Sequence, residues 1–364
     1  MGEVLIVRRG GSGSSSLKST IIVTTDAGST VEAYSDSGYT TLYKTFTEKS
    51  SGEYWLTDLD DATYYLKATK GSDTATMAYT ISEYGVYRIR MFYRTIPDFT
   101  YTGTYEAVKD DDTVISDISH YNDTNWKIRF LTSGTLSISN LYGAENGIDV
   151  FLVGGGGGGG TGAGNGGGGG GYTTTHKAVS INTGTNYSVV VGDGGAANTD
   201  GGNSSAFTYS ANGGKTRSSN SVGYGGEGGS GGGAGTNSSS TSNSELWRGG
   251  SDGSAGYNNQ ALITTAGRGL GQGTTTREFG EANATLYSGG GGAGVNIGSN
   301  NRVPQAGGAG GGGDGAGKKS NGTIIQATAG TANTGGGGGG GGYNSASNGA
   351  SGGSGIVIIR NARS

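Results

Sequence analysis

From residue 154 onward, glycine arrives in runs: 154–160, 166–171, 289–294, 335–342, and interrupted stretches at 223–235, 307–317 and 349–355. Of 82 glycines, 13 lie in residues 1–153 and 69 in the remaining 211 positions. Glycine loses more conformational freedom on folding than any other residue and brings no side chain to a core. A segment of this kind is ordered only if its backbone supplies the packing. Polyglycine can take the polyproline II conformation, with three residues per turn and a rise of about 3.1 Å, so a run of seven spans about 22 Å. With no Cβ on any side, such helices can approach closely and exchange N–H···O=C bonds, supplemented by weak Cα–H···O contacts. The competing reading is a flexible low-complexity tail. Two features oppose it. Apolar strand candidates at 148–153 and 356–360 bracket the runs. The intervening segments carry Tyr172, Tyr187, Phe207, Tyr209, Tyr224, Trp247, Tyr257, Phe279, Tyr287 and Tyr343.

Other classes are excluded by composition. Collagen requires glycine at every third position with abundant proline, and this chain has 2 prolines. Without cysteine there is no disulfide scaffold and no cysteine-ligated zinc. Leu, Ile, Val and Phe total 57 of 364 residues, too few for an ordinary core throughout, yet the net charge of −4 lacks the imbalance of a disordered chain. The same near-neutral charge argues against nucleic-acid binding. The opening Met-Gly-Glu-Val-Leu-Ile-Val-Arg-Arg holds too short an apolar run for a signal peptide or membrane span, so synthesis in the cytoplasm without membrane insertion is expected.

Residues 1–16 read as an attachment arm (strand candidate 4–7) followed by the flexible linker GGSGSSS at 10–16. Residues 17–95 hold seven strand candidates at 19–25, 30–35, 41–47, 53–57, 63–70, 74–81 and 86–93, rich in Thr, Tyr, Val and Ile and separated by Gly, Asp and Ser. This spacing indicates a β-sandwich. The V-x-A strand, the stretch LTDLDDATYYLKAT and the closing strand resemble carboxypeptidase regulatory-like and PEGA-like sandwiches, which implies a spacer or adhesive module. Ile96-Pro97 marks a break. Further strands are expected at 99–108, 127–132, 135–139 and 148–153, then at 178–181, 187–191 and 206–211. The expected fold class is all-β plus polyglycine II: an N-terminal sandwich, then residues 96–364 as a β-sandwich framing a bundle of polyglycine II helices over 154–355, closed by a strand at 356–360.

Four segments in this order carry a second resemblance: DVFLVGGGGGGG at 149–160, YSVVVGDGG at 187–195, GGNSSAF at 201–207 and GGSGIVIIR at 352–360. Together they resemble the glycine-rich domains of bacteriophage and prophage tail fibre and receptor-binding proteins. The resemblance implies a virion tail protein, extracellular once assembled. It would contact other tail proteins through residues 1–16 and a bacterial surface receptor (polysaccharide or outer protein) through loops joining the polyglycine helices. By position those loops are 236–249, 257–287, 295–306, 318–333 and 343–348. The contact residues expected within them are Trp247, Arg248, Tyr257, Arg268, Arg277, Tyr287, Arg302 and Tyr343, because aromatic and arginine side chains dominate recognition energetics. The alternative for each is that it covers an edge of the glycine lattice. A homotrimer would suit a tail fibre, although no heptad stretch enforces one.

No enzymatic role, cofactor or metal is expected. The glycine match at 269–273 is not set between a strand and a helix, so it is no dinucleotide fingerprint. Asp110-Asp111-Asp112 reads as a solvated turn; calcium ligation is the sharper reading but lacks EF-hand spacing. His120 and His176 have no ligand spacing and read as surface residues. A bacterial cell-surface structural or adhesive protein and a tail-associated polysaccharide depolymerase are the alternatives.

Overall fold

The computed structural model describes residues 5–7, 18–71, 73–91, 95–118, 121, 123–162, 165–216, 224–235, 248–257, 267–295, 305–318, 321–342 and 348–363. No described residue lies in an α-helix; the architecture is all-β. The chain divides into two compact units: residues 1–97 with 117–124, and residues 98–116 with 125–364. The main chain path passes from one unit to the other between Pro97 and Asp98. Segment 117–124 returns to the first unit, where the Thr95 N–H donates to the Tyr121 carbonyl at 2.8 Å.

The first unit is a sandwich of two sheets. One runs in the order Leu5–Val7, Val86–Arg90, Ser19–Thr24, Glu53–Leu59, Thr47–Ser50; the other runs Leu42–Thr45, Thr30–Tyr34, Thr63–Lys70, Asp73–Thr80. Ser19–Thr24 pairs parallel with Val86–Arg90. Alternation places Ile21, Val23, Leu56 and Ile89 of one sheet against Val31, Ala33, Leu66 and Ala68 of the other. Two expectations change. The strand expected at 41–47 is two strands in different sheets. Phe46 lies between them, its side chain in the core and its N–H donated to Val31. Part of the expected attachment arm is an edge strand, since Leu5–Val7 pairs antiparallel with Val86–Arg90. The linker 10–16 lies outside the described residues.

The second unit is rooted in two sheets. A three-stranded sheet runs Asp98–Tyr101, Gly134–Asn140, Asn186–Val189, and a five-stranded one runs Tyr105–Lys109, Trp126–Phe130, Ile356–Asn361, Ile148–Val153, Thr173–Val179. The strand expected at 99–108 is split at Gly103, where a Cβ would collide with the Ser133 carbonyl and the Tyr101 ring. Its halves enter different sheets, and the Tyr101 ring packs 4.7 Å from that of Phe130 across them. The stretch expected at 206–211 is a tight hairpin of Ser204–Ala206 and Tyr209–Ala211, because Phe207 and Thr208 both take positive φ. Polarity alternation alone does not separate a strand from a two-residue hairpin.

All six residues of Ile148–Val153 are buried, which is why it reads as a nearly continuous apolar run. On one face Phe151, Val153, Ile356 and Ile358 pack with Phe279 and Tyr287. Ile148–Val153 and Ile356–Asn361 are direct antiparallel neighbours, with Val153 opposite Ile356. The glycine-rich body thus leaves and rejoins one sheet at adjacent strands. The bracketing strands of the sequence are a single structural root.

Within that body the hydrogen bonds repeat every third residue. The N–H groups of Gly154, Gly157 and Gly160 donate to Tyr172, Gly169 and Gly166; those of Gly155 and Gly158 donate to Gly202 and Thr199; those of Gly156 and Gly159 donate to Gly353 and Ala350. All these N···O distances lie between 2.8 and 3.0 Å. The carbonyls of the same run accept from three further segments: Gly195 and Asn198 onto Gly156 and Gly159, Gly214 onto Gly155, and Gly338 and Gly341 onto Gly157 and Gly160. One run is therefore bonded to six others. The run at 335–341 repeats the pattern, donating to Gly289 and Gly292, to Gly157 and Gly160, and to Thr328.

The demand for glycine follows. A Cβ on Gly154 or Gly157 would overlap the carbonyls of Asn212 or Lys215; on Gly155 or Gly158, those of Asp193 or Ala196; on Gly156 or Gly159, those of Gly336 or Gly339. Each obstacle is backbone held in its own hydrogen bonds, so it cannot swing aside. Gly168→Ala, whose Cβ would overlap the Gly157 carbonyl, is expected to destabilise the second unit by about 3 kcal/mol or more. Gly85→Ala, with its nearest obstacle the Tyr87 ring at 3.5 Å, is expected to leave both units near their original midpoints. Calorimetric melts of the two variants check this; equal melts would refute the packing.

Candidate functional site

Gly154 follows the root strand directly, so Gly160 marks the remote end of the first run. The described residues at that level form one hydrogen-bonded patch. The Gly160 N–H donates to Gly166, Gly341 to Gly160, Asn165 to Gly341, Gly294 to Asn165 and Val295 to Ala316. Beside them Ala234 donates to Tyr257, Tyr257 to Arg248 and Gly225 to Gly267. Several turns at the root end are short. Ser251 to Ser254 closes with the Ser254 N–H on the Ser251 carbonyl, and Asp252 and Gly253 take φ of 49° and 79°. Gly310 and Gly311, both at φ 94°, make another. Successive runs alternate in direction, so the connections alternate between the two ends, and the root end also carries the long connection from Gly273 to Ser288.

The eight candidate residues divide accordingly. Arg248 and Tyr257 belong to the remote patch, with the Arg248 guanidinium 4.2 Å from the Tyr257 ring centroid. Tyr257 is 42% exposed, and Arg268, beside Gly267 in the same patch, is exposed. Trp247, Arg302 and Tyr343 lie outside the described residues. Arg277 and Tyr287 sit at the root instead. Arg277 pairs with Asp252 at 3.2 Å and donates to the Ala284 carbonyl. Tyr287 is 4% exposed, packs 5.4 Å from Phe151 and donates to Glu278 at 3.2 Å. Burial pushes its hydroxyl pKa far above the ordinary phenol range. Both thus sit away from the remote patch, Tyr287 buried and Arg277 half-buried. Loop 257–287 spans both ends, and only counting the runs from Gly154 separates them.

A profile of the glycine-rich domain family matches residues 132–362, which takes in the root strands and every run. The chain belongs to this family. Comparison with curated proteins and with solved structures found no match.

The root of this glycine-rich domain carries its charges. Asp149 is fully buried and faces Arg360 across the sheet, with Arg360 Nε 3.2 Å and Lys177 Nζ 2.9 Å from its Oδ2. Arg360 also donates to Glu281 at 2.6 Å and lies 4.0 Å over the Phe279 ring. It ties the two root strands to the segment that covers them. Lys127 bridges Asp112 at 2.8 Å and buried Glu278 at 2.9 Å. In the acidic run, Asp110 meets Arg363, Asp111 accepts the Thr113 N–H and Asp112 meets Lys127 and Arg129. These partners match a turn stapled by the chain's own groups. Among the described residues no cluster of three or more acidic or histidine side chains is arranged to hold a metal. His176 is half-buried, stacked 3.7 Å from the Tyr209 ring, which corrects its reading as a plain surface residue. His120 lies outside the described residues.

Glu281 is held below the ordinary glutamate pKa by Arg360. Asp252 is lowered by the Thr275 hydroxyl and Arg277, and Asp112, although burial opposes its ionisation, by Lys127 and Arg129. Lowered carboxylates stabilise the fold fully above their unfolded values and cease to do so as pH falls through the folded ones. The melting midpoint of the domain is expected to fall as pH is taken from about 5 to about 3, and Glu281→Gln to flatten part of that slope. A wild-type midpoint constant across the interval would refute the assignment.

Proposed function

We propose that the runs pack as polyglycine II helices and that the chain is a non-enzymatic bacteriophage or prophage tail fibre or tail-tip protein. In this reading the end remote from the root binds a bacterial surface receptor. The N-terminal sandwich, of carboxypeptidase regulatory-like or PEGA-like type, is a spacer, and the N-terminal segment with residues 1–16 joins other tail proteins. The assembled protein is extracellular, in the virion tail. Membership of the glycine-rich domain family supports the reading. So does the three-residue hydrogen-bond period, which matches the three residues per turn of that helix. The observation that carries the receptor role is that Arg248, Tyr257 and Arg268 gather at the end opposite the root, with the Arg248 guanidinium 4.2 Å from the Tyr257 ring centroid and Tyr257 and Arg268 exposed.

The test is adsorption. Preincubating susceptible cells with the purified chain is expected to slow phage adsorption. A variant with 236–247 and 258–266 replaced by short Gly-Ser turns, melting like the parent, is expected to lose the effect. Arg248→Ala or Tyr257→Ala is expected to weaken cell binding about tenfold. Equal blocking by the shortened variant would overturn the site assignment. Release of reducing sugar ends from capsular polysaccharide would overturn the non-enzymatic reading.

A further inference from the structure

A groove of about 900 Å³ lies at the root, away from the remote patch. Thr173–Val179, Asn186–Val189 and the hairpin of Ser204–Ala206 with Tyr209–Ala211 supply most of its walls. Its place is fixed by Ser204, whose hydroxyl donates to Val153 at 2.6 Å, and by the mutual bonds of Val190 and Ser205. Tyr187, Phe207 and Tyr209 line it. His176 stacks on Tyr209 at 3.7 Å with 17° between the planes, and Tyr187 packs 4.9 Å from Phe207. The Tyr187 hydroxyl accepts the Asn182 N–H at 2.7 Å. Both tyrosine rings are thus held in place before any ligand arrives.

The backbone around the groove is strained where relief was easy. Phe207 and Thr208 form the hairpin turn with φ of 51° and 74°, and Ala178 in the facing wall has φ 49°. A turn with two positive φ values favours Asn-Gly, and a β-branched residue there is an outlier. This chain uses glycine freely elsewhere, so neither fold nor composition required Phe-Thr. Strain of this kind clusters where a geometry is used.

The lining chemistry narrows the ligand. Asn182, Asn186, Ser188, Ser205 and Ser210 offer amides and hydroxyls, and none makes a side-chain hydrogen bond among the described residues. The one charged lining residue, Lys177, is committed to Asp149 at 2.9 Å. Burial holds the His176 imidazole pKa below its usual value, which favours the uncharged ring. Aromatic surfaces beside unpaired amides and hydroxyls, with no free charge, suit a ligand with one C–H face and a rim of hydroxyls. We propose that this groove is a second binding site, separate from the remote end, for a neutral sugar ring of a mono- or oligosaccharide.

The test is saturation-transfer NMR on the full chain with methyl glucoside, methyl galactoside and N-acetylglucosamine, alongside glucuronate and glucose 6-phosphate. At least one neutral sugar is expected to receive transfer, strongest at the protons of one ring face, and the two anionic sugars none. Tyr209→Leu is expected to cut the signal at least fivefold. Because Tyr209→Leu also alters the hairpin, the exposed double variant Ser188→Ala/Ser210→Ala provides a second reading and is expected to weaken binding several-fold with an unchanged melt. Arg248→Ala is expected to have no effect. Transfer to none of the neutral sugars, preference for the anionic ones, an undiminished signal in both groove variants, or loss in Arg248→Ala would each overturn the proposal.

Discussion

In the glycine-rich domain, a backbone hydrogen bond leaves each run in a new direction at every residue and returns to the same neighbour after three. The remaining features of the domain follow from that rule. Six neighbours can surround a run only if nothing projects from it, so glycine is forced wherever a run is interior. No run is ordered alone, since its bonds exist only when the others are in place. Ordering so much glycine is entropically expensive, and the offset comes from many mutually dependent backbone bonds. Folding of the body should therefore be all-or-none across segments far apart in sequence.

Such a lattice has no preferred end and no preferred register of its own. The root supplies both. Two adjacent apolar strands hold the first and last runs side by side, and the cross-strand pair of Asp149 and Arg360 sets their alignment at a buried position where a slip would strand a charge. Glu281 and the Phe279 ring bring the 276–287 segment onto the same guanidinium. A polar anchor thereby positions a body that is itself built from uniform backbone.

Much of the framework was legible in the sequence because it rests on local patterns. The bracketing strands at 148–153 and 356–360 stand out as apolar runs against glycine, and the sandwich strands show their alternation. Breaks inside strands were not legible. Phe46 and Phe207-Thr208 each turn the chain where composition gives no turn signal, and tertiary packing decides them; at Gly103 the isolated glycine is a signal, but one that does not say that the two halves enter different sheets. The candidate site was legible as residue types but not as places. Arg277 and Tyr287 look like Arg248 and Tyr257 in the sequence. What separates the pairs is the number of runs traversed since Gly154, which no local window contains.

The adjacency of the two root strands has a consequence for how such a body can change. A chain that must return to the strand beside its point of departure has to make an even number of passes. Runs can be gained or lost only as up-and-down pairs, whereas a connection at the remote end can lengthen or shorten by single residues without altering the count. Variation in this architecture is therefore quantised along one axis and continuous along the other.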